Sequence, residues 1–99
     1  MKNPKTARDT LLKIFWVMGS LSDVIIEILH RGAPGDVKRI RGEDIRRVGK
    51  HWLETYSSSD IPYHRVLRIY YKGKLVFSRL KDDIVVDINE LLRKDSEDP

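Results

Sequence analysis

Two dipeptides in this chain carry the side chains that phosphate recognition needs, His30-Arg31 and His64-Arg65. Arginine offers a planar fork of N–H donors that matches phosphate oxygens, and imidazole donates a hydrogen bond or moves a proton near neutral pH. Each pair stands at a strand boundary beside a proline, in His30-Arg31-Gly32-Ala33-Pro34 and Ile61-Pro62-Tyr63-His64-Arg65. Gly32 and Gly35 would let backbone N–H groups approach an anion in a nest-like concavity. Neighbours on a regular strand point to opposite faces, so His64 and Arg65 reach one ligand only where the strand starts irregularly. Pro62 supplies such a start. The expectation is one pocket formed by a residue from each pair, with His30, Arg31, Gly32, His64 and Arg65 as its phosphate-binding set. The plain alternative has His30 packing at a strand end while the arginines cap carbonyls or pair with Glu27.

A second constellation is basic and aromatic. Lys38, Arg39, Arg41, Arg46, Arg47 and Lys50 crowd one short segment in which Glu43 and Asp44 are the only acids. Trp52, Tyr56, Tyr63, Tyr70 and Tyr71 lie nearby in sequence. Cations interleaved with rings suit single-stranded RNA, whose phosphates are neutralised and whose bases stack. Some of these rings must instead build the core, and Trp52 is expected there. In the strand from Tyr63 to Tyr71, the set Leu67, Ile69 and Tyr71 is the better core face. That leaves Tyr70 as a candidate stacking platform, and Tyr63 is counted beside it among the residues that contact RNA.

Familiar catalytic signatures are missing. The chain holds no Gly-rich P-loop, no G-x-S-x-G and no H-E-x-x-H. With no cysteine there is no disulfide framework, thiolate zinc site or cysteine nucleophile. His30, His51 and His64 have none of the spacings of a histidine metal site, so neither metal nor cofactor is expected. Asp82, Asp83 and Asp87 read as negative charges at a helix N-terminal end.

The elements that must position these residues follow from periodicity. Thr6 and Asp9 resemble a capping box, Leu11, Ile14, Phe15 and Met18 share one face, and Gly19 suits a helix C′ position. This predicts a helix over 6–18. The β-branched run from Val24 to Leu29 predicts a strand covered on both sides for much of its length. Strands over 37–40, 45–48, 51–56, 63–71 and 74–79 follow, with turns at 41–44, 49–50 and 72–73 and a polar tip at 57–60. Ile84, Ile88, Leu91 and Leu92 predict a second helix over 84–94, with 95–99 fraying. The fold class is α+β: a small antiparallel sheet or partly open barrel of five to six short strands, covered by the N-terminal helix, plus a C-terminal helix. Leu11, Phe15, Ile26, Ile28, Leu67, Ile69, Leu75 and Phe77 are expected to be buried.

Ninety-nine residues make one domain, 1–99, and exclude a multi-domain enzyme. The hydrophobic fraction of 40% against 34% charged residues marks a folded chain rather than a disordered one. Glutamine is absent and asparagine occurs only at Asn3 and Asn89, which suggests adaptation to heat. The net charge of +4 is unevenly spread: residues 37–81 hold twelve Lys and Arg against four Asp and Glu, and residues 82–99 hold two against seven. On charge alone, a basic middle with an acidic tail reads first as a solvated, heat-adapted surface and otherwise as one that suits a polyanionic partner. The longest uncharged run of the N-terminal region, Ile14–Ser22, is too short for a signal or a membrane span, so a cytoplasmic protein is expected.

His30-Arg31-Gly32-Ala33-Pro34-Gly35-Asp36, Ile61-Pro62-Tyr63-His64-Arg65-Val66 and Lys74-Leu75-Val76-Phe77-Ser78-Arg79 together resemble a small, mainly archaeal and long uncharacterised family, the RNA cyclic group end recognition domain. Leu12-Lys13-Ile14-Phe15-Trp16 is similar to that family's opening helix. The resemblance covers about residues 8 to 79, with Val17-Met18 in place of an Asp-Pro and the acidic segment 82–99 as an extension. It implies recognition of RNA ends bearing a 2′,3′-cyclic phosphate in RNA repair. It also implies proximity to RNA ligases, phosphoesterases or nucleotidyltransferases. Three functions compete: a non-catalytic RNA-end module, a metal-independent cyclic phosphodiesterase with His30 and His64 as acid and base, and an adaptor for an RNA-processing enzyme.

Overall fold

The structure, a computed structural model, describes residues 3–96. Helix α1 (Ala7–Met18) starts at Thr6, whose side-chain oxygen accepts the Asp9 backbone N–H at 3.0 Å. It stops at Gly19, in the left-handed conformation at φ 76°. Both ends obey the capping chemistry written in the sequence. The buried stripe is Ala7, Thr10, Leu11 and Ile14, spaced i, i+3, i+4, i+7. Phe15 corrects the expectation: it is 47% exposed, because the stripe starts at Ala7 and leaves Phe15 on the flank.

Among the described residues, seven strands follow: β1 (Val24–Leu29), β2 (Val37–Arg41), β3 (Ile45–Val48), β4 (Trp52–Thr55), β5 (Ile61–Pro62), β6 (Val66–Tyr71) and β7 (Lys74–Ser78). They pair antiparallel into a four-stranded sheet of order β2-β1-β6-β7 and a three-stranded sheet of order β3-β4-β5. The chain crosses between the sheets twice, each time through one 3₁₀ turn. Gly42–Asp44 leads from β2 to β3, and Tyr63–Arg65 leads from β5 to β6. The class is α+β with two open sheets rather than a closed barrel. Val24, Ile26 and Ile28 alternate into the core, while Ile25 and Glu27 on the other face of β1 are only half-covered.

Two register shifts account for the misplaced core residues. Glu27 pairs with Arg68 but Ile28 with Val66, so Leu67 is the inserted residue of a bulge and Val66 fills the core instead. Ile69 pairs with Phe77 but Tyr70 with Leu75, so Val76 is inserted. Val76 is buried with Phe77 and Leu75 is only half-buried. Leu11, Ile26, Ile28, Ile69, Tyr71 and Phe77 are buried as expected. Trp52 is not in the core. It is half-exposed at the start of β4, opposite Pro62.

The second helix, α2 (Ile88–Ser96), begins four residues later than the periodicity suggests. Asp87 caps it, its carboxylate accepting the Asn89 N–H at 2.9 Å, and the Val86 N–H is spent on the Leu75 carbonyl. Ile84 is therefore 89% exposed rather than on a packed face. Ile88 and Leu92 are buried in the core that α1 also covers. Asp95, expected to fray, lies within the helix and pairs with Lys72 at 3.3 Å. The expected fraying of 97–99 falls outside the described residues. Asn3 ties the two ends together, donating to the Val86 carbonyl at 2.8 Å and accepting the Ile88 N–H at 2.9 Å.

The face of the four-stranded sheet away from the core is polar and cross-linked. Glu27 accepts from Arg39 at 3.2 Å and from Arg68 at 3.1 Å, and Arg68 reaches on to Asp83 at 2.7 Å. Ser78 also donates to Asp83. That hydroxyl first, and the Arg68 guanidinium second, hold the Asp83 carboxyl below the usual carboxylate range. A carboxyl depressed on folding stabilises the fold fully above its ordinary value and loses that contribution as pH falls through the depressed one. Below about pH 4 the wild-type protein is expected to lose stability more steeply than Asp83→Asn. Denaturant midpoints measured from pH 6 downward check this, and parallel acid limbs would refute it.

Candidate functional site

The two His-Arg dipeptides meet at one corner of the four-stranded sheet. His30 follows the last residue of β1, and His64 sits in the 3₁₀ turn that leads into β6. The β1–β6 ladder ends at the pair Ile28–Val66, so the residues beyond it on each strand are brought side by side. Arg65 closes the corner by donating from Nε (3.1 Å) and Nη2 (2.7 Å) to the Leu29 carbonyl, directly beside His30. Arg65 thus caps a carbonyl, as the plain alternative has it, and in doing so joins the two motifs. Glu27, the other partner that alternative offered, is taken by Arg39 and Arg68. His30, Arg31 and His64 are exposed, and among the described residues their side chains make no hydrogen bond or ion pair within the chain.

The 30–36 loop is held by its own backbone. His30 N–H donates to the Asp36 carbonyl at 2.8 Å, and the Ala33 N–H donates to the His30 carbonyl at 3.2 Å. Gly32 and Gly35 adopt positive φ, 96° and 66°, and Asp36 follows at 56°. Only glycine takes such angles freely, which is why two glycines stand here. The Gly32 N–H donates to the Asp36 carboxylate at 3.2 Å, so an oxyanion from the chain itself occupies that amide.

Arg79 fixes the opposite side of the corner, a role that charge and aromatic patterns do not reveal. Its Nε donates to the Val66 carbonyl at 2.7 Å and its Nη2 to the Tyr63 carbonyl at 2.8 Å. These carbonyls bracket His64. The available signal was Arg79's place at the end of the motif that runs from Lys74. Tyr63, a candidate stacking ring, packs instead against the core, and its hydroxyl donates to the Gly49 carbonyl, as does Arg8 Nε at 3.0 Å. Burial outweighs the nearby Arg8 and raises the Tyr63 phenol above its ordinary value.

The basic residues divide between two strands. Lys38, Arg39 and Arg41 lie on β2, at one edge of the four-stranded sheet, and Arg46 and Arg47 lie on β3, at one edge of the other. Arg39 covers the half-buried Tyr70 ring, its guanidinium carbon 5.6 Å from the centroid. Arg41 pairs with Glu43 at 3.5 Å. Arg46 and Arg47 share one carboxylate, Glu54. Lys38 and Lys50 are exposed without an ion pair among the described residues.

The match to the family model for the MJ1316 RNA cyclic group end recognition domain spans residues 1–79. The chain belongs to this family. Among curated relatives of the family, the UPF0248 protein MJ1316 of Methanocaldococcus jannaschii is 33% identical over 75 residues, covering 73% of this chain and 91% of the relative. A UPF0248 protein of Thermococcus onnurineus is 44% identical over 61 residues, covering 61% and 68%. The UPF0248 protein MK0350 of Methanopyrus kandleri is 31% identical over 58 residues, covering 59% and 77%. No solved structure matches the chain. The family match takes in both His-Arg motifs and Arg79 and ends before Asp83, Asn89 and the rest of α2. Among the described residues no helix is long and apolar enough to cross a membrane.

Proposed function

We propose that this protein binds RNA ends bearing a 2′,3′-cyclic phosphate or a terminal phosphate, as a recognition module in RNA repair or processing. One observation carries the reading: two distant His-Arg dipeptides converge on one corner, where Arg65 is anchored on the carbonyl beside His30. Arg31 and the imidazoles of His30 and His64 offer N–H donors to phosphate oxygens, and the family's description names cyclic group ends. Two histidines at one corner also keep acid–base opening of the cyclic phosphate as the second reading. The test is affinity for matched RNAs ending in cyclic phosphate, 3′-phosphate or hydroxyl, with product analysis on the same samples. Equal affinity for all three overturns end recognition, and a monophosphate product identifies an enzyme.

General affinity rests on the basic strands. Replacing Arg46 and Arg47 by alanine is expected to weaken binding to every RNA alike. For each phosphate of a single strand that is no longer neutralised, the slope of log K against log salt falls by about 0.7. Titrations at several salt concentrations read this, and an unchanged slope removes β3 from the interface. Partners such as RNA ligases, phosphoesterases or nucleotidyltransferases, and a cytoplasmic location, belong to the same proposal.

A further inference from the structure

Outside the His-Arg corner, the molecule holds a groove between α1 and the free edge of β3. Phe15 and Trp16 from α1 and Tyr56 after β4 line it, over apolar residues that include Leu21 and Ile45, and its volume is about 400 Å³. Trp16 is 79% exposed and Tyr56 69%, a large apolar surface for a small protein to leave in water. Arg46 and Arg47 also line the groove. They share the single carboxylate Glu54, and the groove's other acid, Glu43, pairs with Arg41 at 3.5 Å, so three arginines face two carboxylates and the local charge is positive.

We infer that this groove is a nucleobase-stacking site for unpaired RNA upstream of the bound end. The inference rests on the RNA-end reading and adds a second point of attachment to it. Rings beside arginines match a ligand that combines planar bases with phosphates. An apolar peptide would use the rings and leave the excess positive charge of the arginines unmatched. Position supports the same occupant. The groove lies at the Leu21 and Gly42 end of β1, and His30 lies at the other, a separation of roughly 17 Å for a six-residue strand at about 3.3 Å per residue. Strand β3 lines the groove along its whole length, Ile45 to Val48, and continues into Gly49, whose carbonyl is held by Tyr63, the neighbour of His64. An RNA strand laid along β3 therefore passes Arg46 and Arg47 before its end reaches the corner.

Trp16 reports on this directly. In a Trp52→Phe protein it is the sole tryptophan, and a hydroxyl-ended oligouridine of about eight nucleotides is expected to quench its fluorescence. An abasic strand of equal length and charge is expected not to. Trp16→Ala, at a site too exposed to disturb the fold, should weaken binding of the oligouridine about tenfold. It should leave the ratio of cyclic-end to hydroxyl-end affinity unchanged. No quenching and unchanged affinity, in a protein that still prefers cyclic ends, overturn the groove and spare the end site. Quenching without any cyclic preference does the reverse. A wild-type dimer that Trp16→Ala converts to a monomer makes the groove an interface between copies and overturns the proposal.

Discussion

Replacing His64 with alanine is expected to erase the preference for a 2′,3′-cyclic end while most of the salt-sensitive affinity survives. His64 is exposed on a one-turn 3₁₀ segment, so its removal takes away a donor without opening the core. A hydrogen bond to a charged group contributes about 1.5–3 kcal/mol, or roughly 10- to 150-fold in affinity. The loss should appear only with phosphate-bearing ends, since on the proposed reading the arginines of β3 would serve any RNA. Arg79→Ala should produce a smaller loss of the same kind, because Arg79 holds the carbonyls on either side of His64 without facing the ligand. Affinities for the cyclic, 3′-phosphate and hydroxyl RNAs decide the matter. If His64→Ala keeps the wild-type ratio, the corner does not read the end. If wild type opens the cyclic phosphate with a bell-shaped pH dependence and either single histidine mutant abolishes it, the corner is catalytic.

The largest stability loss is expected at Gly42, which has no ionisable group and no place in the His-Arg corner. A Cβ there would stand 1.8 Å from the Leu21 carbonyl oxygen, 2.8 Å from its carbon and 3.0 Å from the Val24 Cβ. The first two are backbone atoms, and the Val24 N–H already donates to that same Leu21 oxygen at 3.0 Å. Neither side can yield without breaking the approach to β1. Gly42→Ala should therefore cost about 3 kcal/mol or more, in the tail of single-mutant effects. At about 4–8 °C per kcal/mol for a domain of this size, the melting temperature should fall by more than about 12 °C. A fall of only a few degrees would show that the 20–23 connection is soft.

Much of this architecture was legible because local rules and tertiary packing agree. Thr6 and Gly19 bound α1 by capping chemistry alone, and the β-branched run of Val24–Leu29 favours the strand that forms there. What escaped was set by pairing between distant residues. Nothing in the run from Tyr63 to Tyr71 marks Leu67 as the inserted residue, because a bulge is defined by the partner strand. The late start of α2 depends on the Val86 N–H finding the Leu75 carbonyl, a bond invisible to helical periodicity. At the site, the two dipeptides drew attention through residue type, and the corner that joins them was a matter of strand order. The use of Tyr63 as a strut beneath the 49–52 turn, and of Arg79 as a clamp, followed from geometry that composition does not carry.

The Asn3 clasp gives the chain an order of assembly. Its two hydrogen bonds span 83 and 85 residues, so making them draws nearly the entire polypeptide into one ring. The entropy of closing so large a ring must be met before those bonds return anything, whereas the β6–β7 hairpin closes over the two residues Lys72 and Gly73. On a ribosome, the sheets and the corner are already synthesised when Val86 and Ile88 emerge, and only then can Asn3 be fastened. The acidic extension therefore acts as the last stitch, locking a fold that the preceding residues have already shaped.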